Sequence, residues 1–313
     1  MPLPKIAFLF PGQGSQYAGM GRELAEQFDA ARRAFDDADA ALGFSLSKLC
    51  FEGPAEDLQL TANTQPAILT VSAAVAAVLR HKGVGADYVA GHSLGEYSAL
   101  VATGSISLPD AVRTVRRRGQ YMQEAVPPGA GAMAALLGLD PALVGTVCRE
   151  AAQGEVVSAA NFNSPGQVVI AGTADAVGRA LALAKGRGAK RAIPLKVSAP
   201  FHCALMQPAQ DRLACDLDVL AIQDPQVPLV SNVDAGLVQS AVAVRDVLKR
   251  QVTSPVLWEQ SMRLLLKHGV ELFVEVGPGK VLVGLMRQIE HQAECLNVED
   301  VRSLNELLAR LKK

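Results

Sequence analysis

The chain has 313 residues, of which 50% are hydrophobic and 19% charged, a composition that supplies a large core and excludes intrinsic disorder as the main state. Thirty Lys and Arg against 31 Asp and Glu leave a formal net charge of -1, and aromatics make up only 4%, so neither charge steering nor base stacking points to nucleic acid. Five scattered cysteines (Cys50, Cys148, Cys203, Cys215, Cys295) form no CxxC pair and no metal-ligand spacing. They imply free thiols in a reducing compartment and no bound metal. No apolar run is expected to reach the ~18 residues of a membrane helix, so a cytoplasmic protein without membrane contact is expected.

In chain order, Ile6-Ala7-Phe8-Leu9-Phe10 reads as a buried strand closed by a Pro-Gly turn. A helical stretch near 18–41 follows, then a helix expected to start at Pro66, with Ile68, Val71, Val75, Val78 and Leu79 at helical spacing and Gly83 closing it. A short strand, Tyr88-Val89-Ala90, turns into a helix at 94–103. Alternating strands and helices imply a parallel sheet with helices on its faces.

Pro127-Pro128-Gly129 breaks this alternation. The segment after it reads as a strand at 131–139, a helix at 140–153 with Asp140 as N-cap, strands at 156–162 and 167–172, a helix at 174–187 and a strand at 190–197. Strand, helix, strand, strand, helix, strand is the ferredoxin-like pattern. The expected organisation is a large α/β-hydrolase-like domain from residues 1–127 and 198–313, with a ferredoxin-like domain at 128–197 inserted into it. After Pro200, helices are expected at about 204–217, 243–252, 256–267 and 280–290, and strands at 227–233 and 271–276.

The sharpest chemical signal is Gly91-His92-Ser93-Leu94-Gly95, a G-x-S-x-G between a strand and a helix. Such a turn needs small residues two positions either side of the serine. It raises the Ser93 hydroxyl clear of the sheet and aims the Leu94 N–H at an attacked carbonyl oxygen. A serine needs a base. His81, His268 and His291 fall at helix ends, and His92 adjoins the serine and should point elsewhere. His202, in Ser198-Ala199-Pro200-Phe201-His202-Cys203, stands where the chain re-enters the large sheet and is the candidate base. Asp110, Asp140 and Asp175 lie between serine and histidine but all sit at helix starts, as caps. A Ser-His pair oriented by a neutral carbonyl or amide is therefore expected, without a carboxylate.

Pro11-Gly12-Gln13-Gly14-Ser15-Gln16 follows the first strand, but a dinucleotide loop would need glycine where Tyr17 stands. The turn can instead offer the Gln13 N–H as a second oxyanion donor beside Leu94. In the basic run Arg113, Arg116, Arg117, Arg118, the apolar face is Val112, Val115, Gly119 and Met122. Arg116 and Arg118 lie on opposite flanks of it, and helical geometry does not choose between them.

Taken together and in order, PGQGSQ, GHSLGE, RRGQYM, ANFNSPGQVVIAG, PFHC and RQVTSPVLW resemble the malonyl-CoA:acyl-carrier-protein transacylase family from residue 11 to about 280. The resemblance implies Ser93 as the acylated nucleophile, His202 as its base, and Gln13 and Leu94 as oxyanion donors. It also implies that Arg118 holds the malonyl carboxylate, and that Gln251 contacts the substrate near the histidine, which is oriented through a backbone carbonyl there. Asn161 and Asn163 would border the substrate, and the Phe201 ring would disfavour a branched acyl group. It further implies malonyl-CoA as substrate rather than a resident cofactor, and a monomer. The other partner would be an acidic acyl carrier protein of fatty acid or polyketide synthesis, docking near Lys190 and Arg191 in a basic cluster with Lys185 and Arg187. A serine esterase or thioesterase is the competing reading from the same turn.

Overall fold

The computed structural model describes residues 4–195, 197 and 199–312. The first strand, β1 (Ile6–Phe10), is buried along its whole length. The helical stretch expected after it divides into α1 (Arg22–Gln27) and α2 (Asp29–Leu42), because Phe28 adopts an extended backbone (φ -128°, ψ 119°) between them. Two short helices that the sequence reading did not anticipate follow, α3 (Leu46–Glu52) and α4 (Ala55–Gln59).

α5 (Thr61–His81) begins a full turn before Pro66 rather than at it. Proline has no N–H for the carbonyl four residues back, and that carbonyl, on Ala62, instead accepts from Arg116 Nη1 at 3.5 Å. By length and composition α5 could cross a membrane, contrary to the expectation from sequence, yet 78% of its most apolar window is buried inside the protein. It is the core helix around which α2 and α7 (Leu108–Glu124) pack. The approach of α7 to α5 depends on Gly119: a Cβ there would lie 2.7 Å from the Thr61 carbonyl oxygen. Between them run β2 (Tyr88–Gly91) and α6 (Gly95–Ala102).

The middle of the chain forms a second sheet of β3 (Gly131–Leu137), β4 (Val157–Ser164), β5 (Gln167–Thr173) and β6 (Arg191–Pro194), in the order β4-β5-β3-β6 and antiparallel throughout. Its helices are α8 (Pro141–Ala152), capped by Asp140, and α9 (Ala174–Gly186), capped by Thr173. This is the ferredoxin-like order. Both helices cover one face through Leu136, Val147, Ile170 and Ala180. The other face carries Met133, Val169 and Ala171, packed with Cys203 and Phe201. Lys196 and Ser198, at the end of the expected last strand and at the expected domain boundary, lie outside the described residues.

The remaining elements are α10 (Gln207–Val219), β7 (Leu229–Val230), β8 (Leu237–Val238), α11 (Ala241–Gln251), α12 (Trp258–Lys267), β9 (Leu272–Val276), α13 (Val281–Ile289), β10 (Glu294–Val298) and α14 (Val301–Leu311). The strand expected at 227–233 shortens to two residues, since Pro228 cannot donate to the ladder and the chain turns at Asn232. β10 and α14 extend the fold past the last element read from sequence. The large sheet has the order β10-β9-β1-β2-β7-β8, parallel except for β8, which runs antiparallel to β7. The fold is thus α/β, with an α/β-hydrolase-like sheet and a smaller ferredoxin-like sheet. The adjacent strands β1 and β2 end side by side, so the turns at Gln13 and Ser93 share the carboxyl edge of the sheet, where α/β folds place their ligands.

Candidate active site

Ser93 sits between β2 and α6 with φ 50°, a left-handed conformation that costs a non-glycine residue ~1–3 kcal/mol. The backbone crowds this turn. A Cβ on Gly91 would lie 1.9 Å from the Gly95 carbonyl carbon, and one on Gly95 would lie 2.0 Å from the Phe10 carbonyl oxygen. Asn232, just beyond β7, braces the turn: its Oδ1 accepts from Ser93 N at 2.7 Å and its Nδ2 donates to the Gly91 carbonyl at 2.6 Å.

The Ser93 hydroxyl meets His202 Nε2 at 2.7 Å, although 109 positions separate them. His202 is buried and also left-handed, with φ 59°. Its Nδ1 faces two carbonyl oxygens, Gln251 at 2.9 Å and Ser254 at 3.2 Å. Carbonyls only accept, so Nδ1 carries the proton and Nε2 presents its lone pair to the serine. The orienting group is a neutral carbonyl, as anticipated. Asp140 caps α8, while Asp110 and Asp175 lie in the first turns of α7 and α9. Burial, and then the nearby Arg118 guanidinium, push the imidazole down to about 3, so it is neutral at physiological pH. The other histidines do not meet the serine hydroxyl, although His92 lines the same cavity. His92 Nε2 meets Asn163 Oδ1 at 2.9 Å, with its ring against Trp258. His81 ends α5 and His268 caps α12.

Of the four arginines on α7, Arg113 pairs with Asp110, Arg117 with Asp216, and Arg116 donates to Asn63 Oδ1 while lying over the Phe44 ring. Arg118 is 2% exposed. Its Nη1 donates to Gln65 Oε1 at 2.7 Å, and its Nη2 to Gln251 Oε1 at 2.8 Å and to Ser93 Oγ at 3.1 Å. Among the described residues its Nε has no partner and no carboxylate pairs with it. The buried Glu96 carboxylate acts on it only through space, without a hydrogen bond, and a buried cation with no directly paired carboxylate remains costly.

A cavity of about 240 Å³ opens beside Ser93, His202 and Arg118. Gln13, Leu94, Asn161, Asn163 and Phe201 line it, together with Gln65, Met122 and Met133, while Val197 and Val281 are exposed members of the lining. Among the described residues neither the Gln13 nor the Leu94 backbone N–H has a hydrogen-bond acceptor. Gln251, expected at the substrate, is fully buried and does not line the cavity. It stands behind the wall, where its side chain holds Arg118 and its carbonyl holds His202. Sequence reasoning missed Gln65, Glu96, Asn232 and Ser254.

A serine-histidine pair on the carboxyl edge of an α/β-hydrolase-like sheet, beside a buried arginine, is the construction of an enzyme that handles acyl groups. The chain belongs to the acyl transferase domain family, which matches residues 7–312. It is 51% identical to the malonyl CoA-acyl carrier protein transacylase of Bacillus subtilis over 99% of this chain and 98% of that protein. Among solved structures it is similar to an acyl carrier protein S-malonyltransferase from Vibrio cholerae, with 50% identity and a TM-score of 0.95 over 97% of this chain and 99% of that one. It is also similar to a malonyl-transacylase solved in complex with its type II PKS acyl-carrier protein, with 47% identity and a TM-score of 0.96 over 98% and 99% of the two chains.

Proposed function

We propose that this enzyme moves a malonyl group from coenzyme A to the phosphopantetheine thiol of an acyl carrier protein in fatty acid biosynthesis, through a malonyl ester of Ser93. The observation that carries this reading is the buried Arg118 guanidinium, which has no carboxylate partner among the described residues and lies 3.1 Å from the Ser93 hydroxyl. A malonyl thioester supplies the missing carboxylate at that distance from its reacting carbonyl. Arginine suits it because its planar fork can pair both oxygens.

His202 Nε2 takes the Ser93 proton as Oγ attacks the thioester carbonyl. The Gln13 and Leu94 N–H groups receive the oxyanion, and each such donor is worth ~2.7–4 kcal/mol of transition-state stabilisation. The tetrahedral intermediate collapses, the C–S bond breaks, and His202 returns the proton to the departing coenzyme A thiolate. His202 then takes the proton of the carrier thiol as its sulfur attacks the malonyl-serine ester; the C–Oγ bond breaks, Ser93 recovers the proton from His202, and the malonyl thioester leaves on the carrier. Coenzyme A enters as part of a substrate, not as a resident cofactor. The Phe201 ring lines the cavity, which supports selection against a branched acyl group.

Lys190 and Arg191 are exposed at the start of β6, the edge strand of the small sheet, whose continuation carries Leu195 and Val197 into the cavity lining. They form the patch at which an acidic carrier protein docks; Arg187, tied to Glu150, is not part of it. Five free cysteines fit a reducing, cytoplasmic setting.

A carrier protein of polyketide synthesis is the second reading, favoured by the likeness to the complex with a type II PKS carrier. The deciding assay supplies malonyl-CoA with and without carrier protein and measures transfer against hydrolysis. A single equivalent of coenzyme A released without carrier, with sustained release only when the carrier is present, supports the transferase. Equal release without it, as free malonate, indicates an esterase instead.

A further inference from the structure

The geometry points to Glu96 as the positioning residue that holds the two halves of the catalytic apparatus in register, acting as an ionised acceptor between Asn232 and Gln251. Glu96 is fully buried on α6, three positions after the serine, and does not reach the cavity. Its Oε1 accepts from the Asn232 backbone N–H at 3.1 Å, and its Oε2 accepts from Gln251 Nε2. Those two partners divide the site between them. Asn232 braces the strained Ser93 turn through Ser93 N and the Gly91 carbonyl. Gln251 orients Arg118 through Oε1 and His202 through its backbone carbonyl, and its Nε2 also reaches the Ser93 carbonyl at 3.0 Å. The nucleophile arm and the base arm, which come from distant parts of the chain, thus meet at one carboxylate.

Both oxygens face donors. A protonated Glu96 would turn one acceptor into a donor aimed at a donor, so the ionised form is the one that fits. Burial nevertheless pushes Glu96 up to about 7, against the pull of the Asn232 and Gln251 donors and of Arg118. The charged and titratable groups around it are Arg118 on α7, Tyr97 on its own helix and Asp234 after β7, the last tied to Arg250 of α11. Burial lowers the imidazoles of both His202 and His92, that of His202 to about 3. Protonating Glu96 should therefore loosen the register of serine, histidine and arginine together.

The inference rests on acyl transfer through Ser93, and its test keeps the two apart by measuring the second-order rate of Ser93 malonylation from pH 5.5 to 8.5. Wild-type enzyme is expected to slow as pH falls through about 7. Glu96→Gln, which cannot ionise and offers one donor where an acceptor is needed, is expected to be about 10- to 100-fold slower and flat across that window. Glu96→Asp keeps the pH dependence at an intermediate rate. A folded Glu96→Gln that matches the wild-type rate, or that keeps the wild-type acid limb, overturns the inference. Should that variant not fold, the unmodified enzyme decides: malonylation that is flat from pH 6 to 8 overturns it. Absence of any Ser93 malonylation in wild type would instead refute the acyl-transfer reading itself.

Discussion

Replacing Arg118 with alanine tests the assignment on which substrate selection depends. The guanidinium makes three hydrogen bonds of 2.7, 2.8 and 3.1 Å, all to neutral oxygens of Gln65, Gln251 and Ser93, and its Nε makes none. Glu96 acts on it only through space, so a malonyl carboxylate is the partner that can pair with it directly, whereas an acetyl group offers no such charge. Charged hydrogen bonds are worth ~1.5–3 kcal/mol net, and about 1.4 kcal/mol is a factor of ten. Arg118→Ala should therefore erase about one to two decades of preference for malonyl over acetyl. The acetyl reaction should fall less, through loss of the 3.1 Å contact to Ser93 Oγ. Arg118→Lys keeps the charge without the fork and should fall between. The assay mixes equal malonyl-CoA and acetyl-CoA with each enzyme, quenches within a turnover, and compares the two adducts on the Ser93 peptide by mass spectrometry. Full malonyl preference in Arg118→Ala would refute the reasoning.

Other outcomes follow from the same structure. Phe201→Ser should raise the methylmalonyl-to-malonyl ratio of Ser93 acylation severalfold in the same competition assay, because the ring lines the cavity wall; an unchanged ratio removes it as a selector. Glu275 on β9 is buried, with Oε2 accepting from Val283 N at 2.9 Å and Oε1 unpartnered among the described residues, and burial pushes it up to about 7. Its native pKa is above the unfolded value, so its contribution is present below pH ~4.5 and lost as pH rises through 7, at up to ~1.4 kcal/mol per pH unit. Glu275→Gln should flatten the decline of Tm between pH 5 and 8, and a parallel decline would dismiss the assignment. Reversing the charges of Lys190 and Arg191 should raise KM for the carrier protein severalfold at low salt and leave KM for malonyl-CoA unchanged. Carrier kinetics that do not respond at any salt concentration would place the docking surface elsewhere.

What could be read in the sequence divides by range. The Ser93 turn is local: Gly91 and Gly95 are dictated by backbone contacts within a few residues and by the neighbouring strand. The ferredoxin-like sheet was also legible, because Asp140 as a cap and short apolar strands set between helices are local signals. Asn232 and Ser254 were not, since they reach the site only through a two-residue strand and a loop with no periodicity. Gln65 and Glu96 did leave a signal. One stands in an almost wholly buried helix and the other three positions past the serine, and a polar side chain buried there needs a partner. The start of α5 was misplaced because the Arg116 donor that satisfies the Ala62 carbonyl comes from 54 positions away. α14 escaped notice despite Leu304, Leu307, Leu308 and Leu311 at helical spacing.

The central claim is that the hydroxyl 2.7 Å from the His202 imidazole carries the acyl group between two thiols. Its most direct test is the mass of the Ser93 peptide after brief exposure to malonyl-CoA, and again after adding carrier protein bearing its phosphopantetheine thiol. One malonyl increment on Ser93, absent in Ser93→Ala and discharged onto the carrier, is the predicted result. A malonyl group on any other residue, or transfer that persists in Ser93→Ala, would contradict the account.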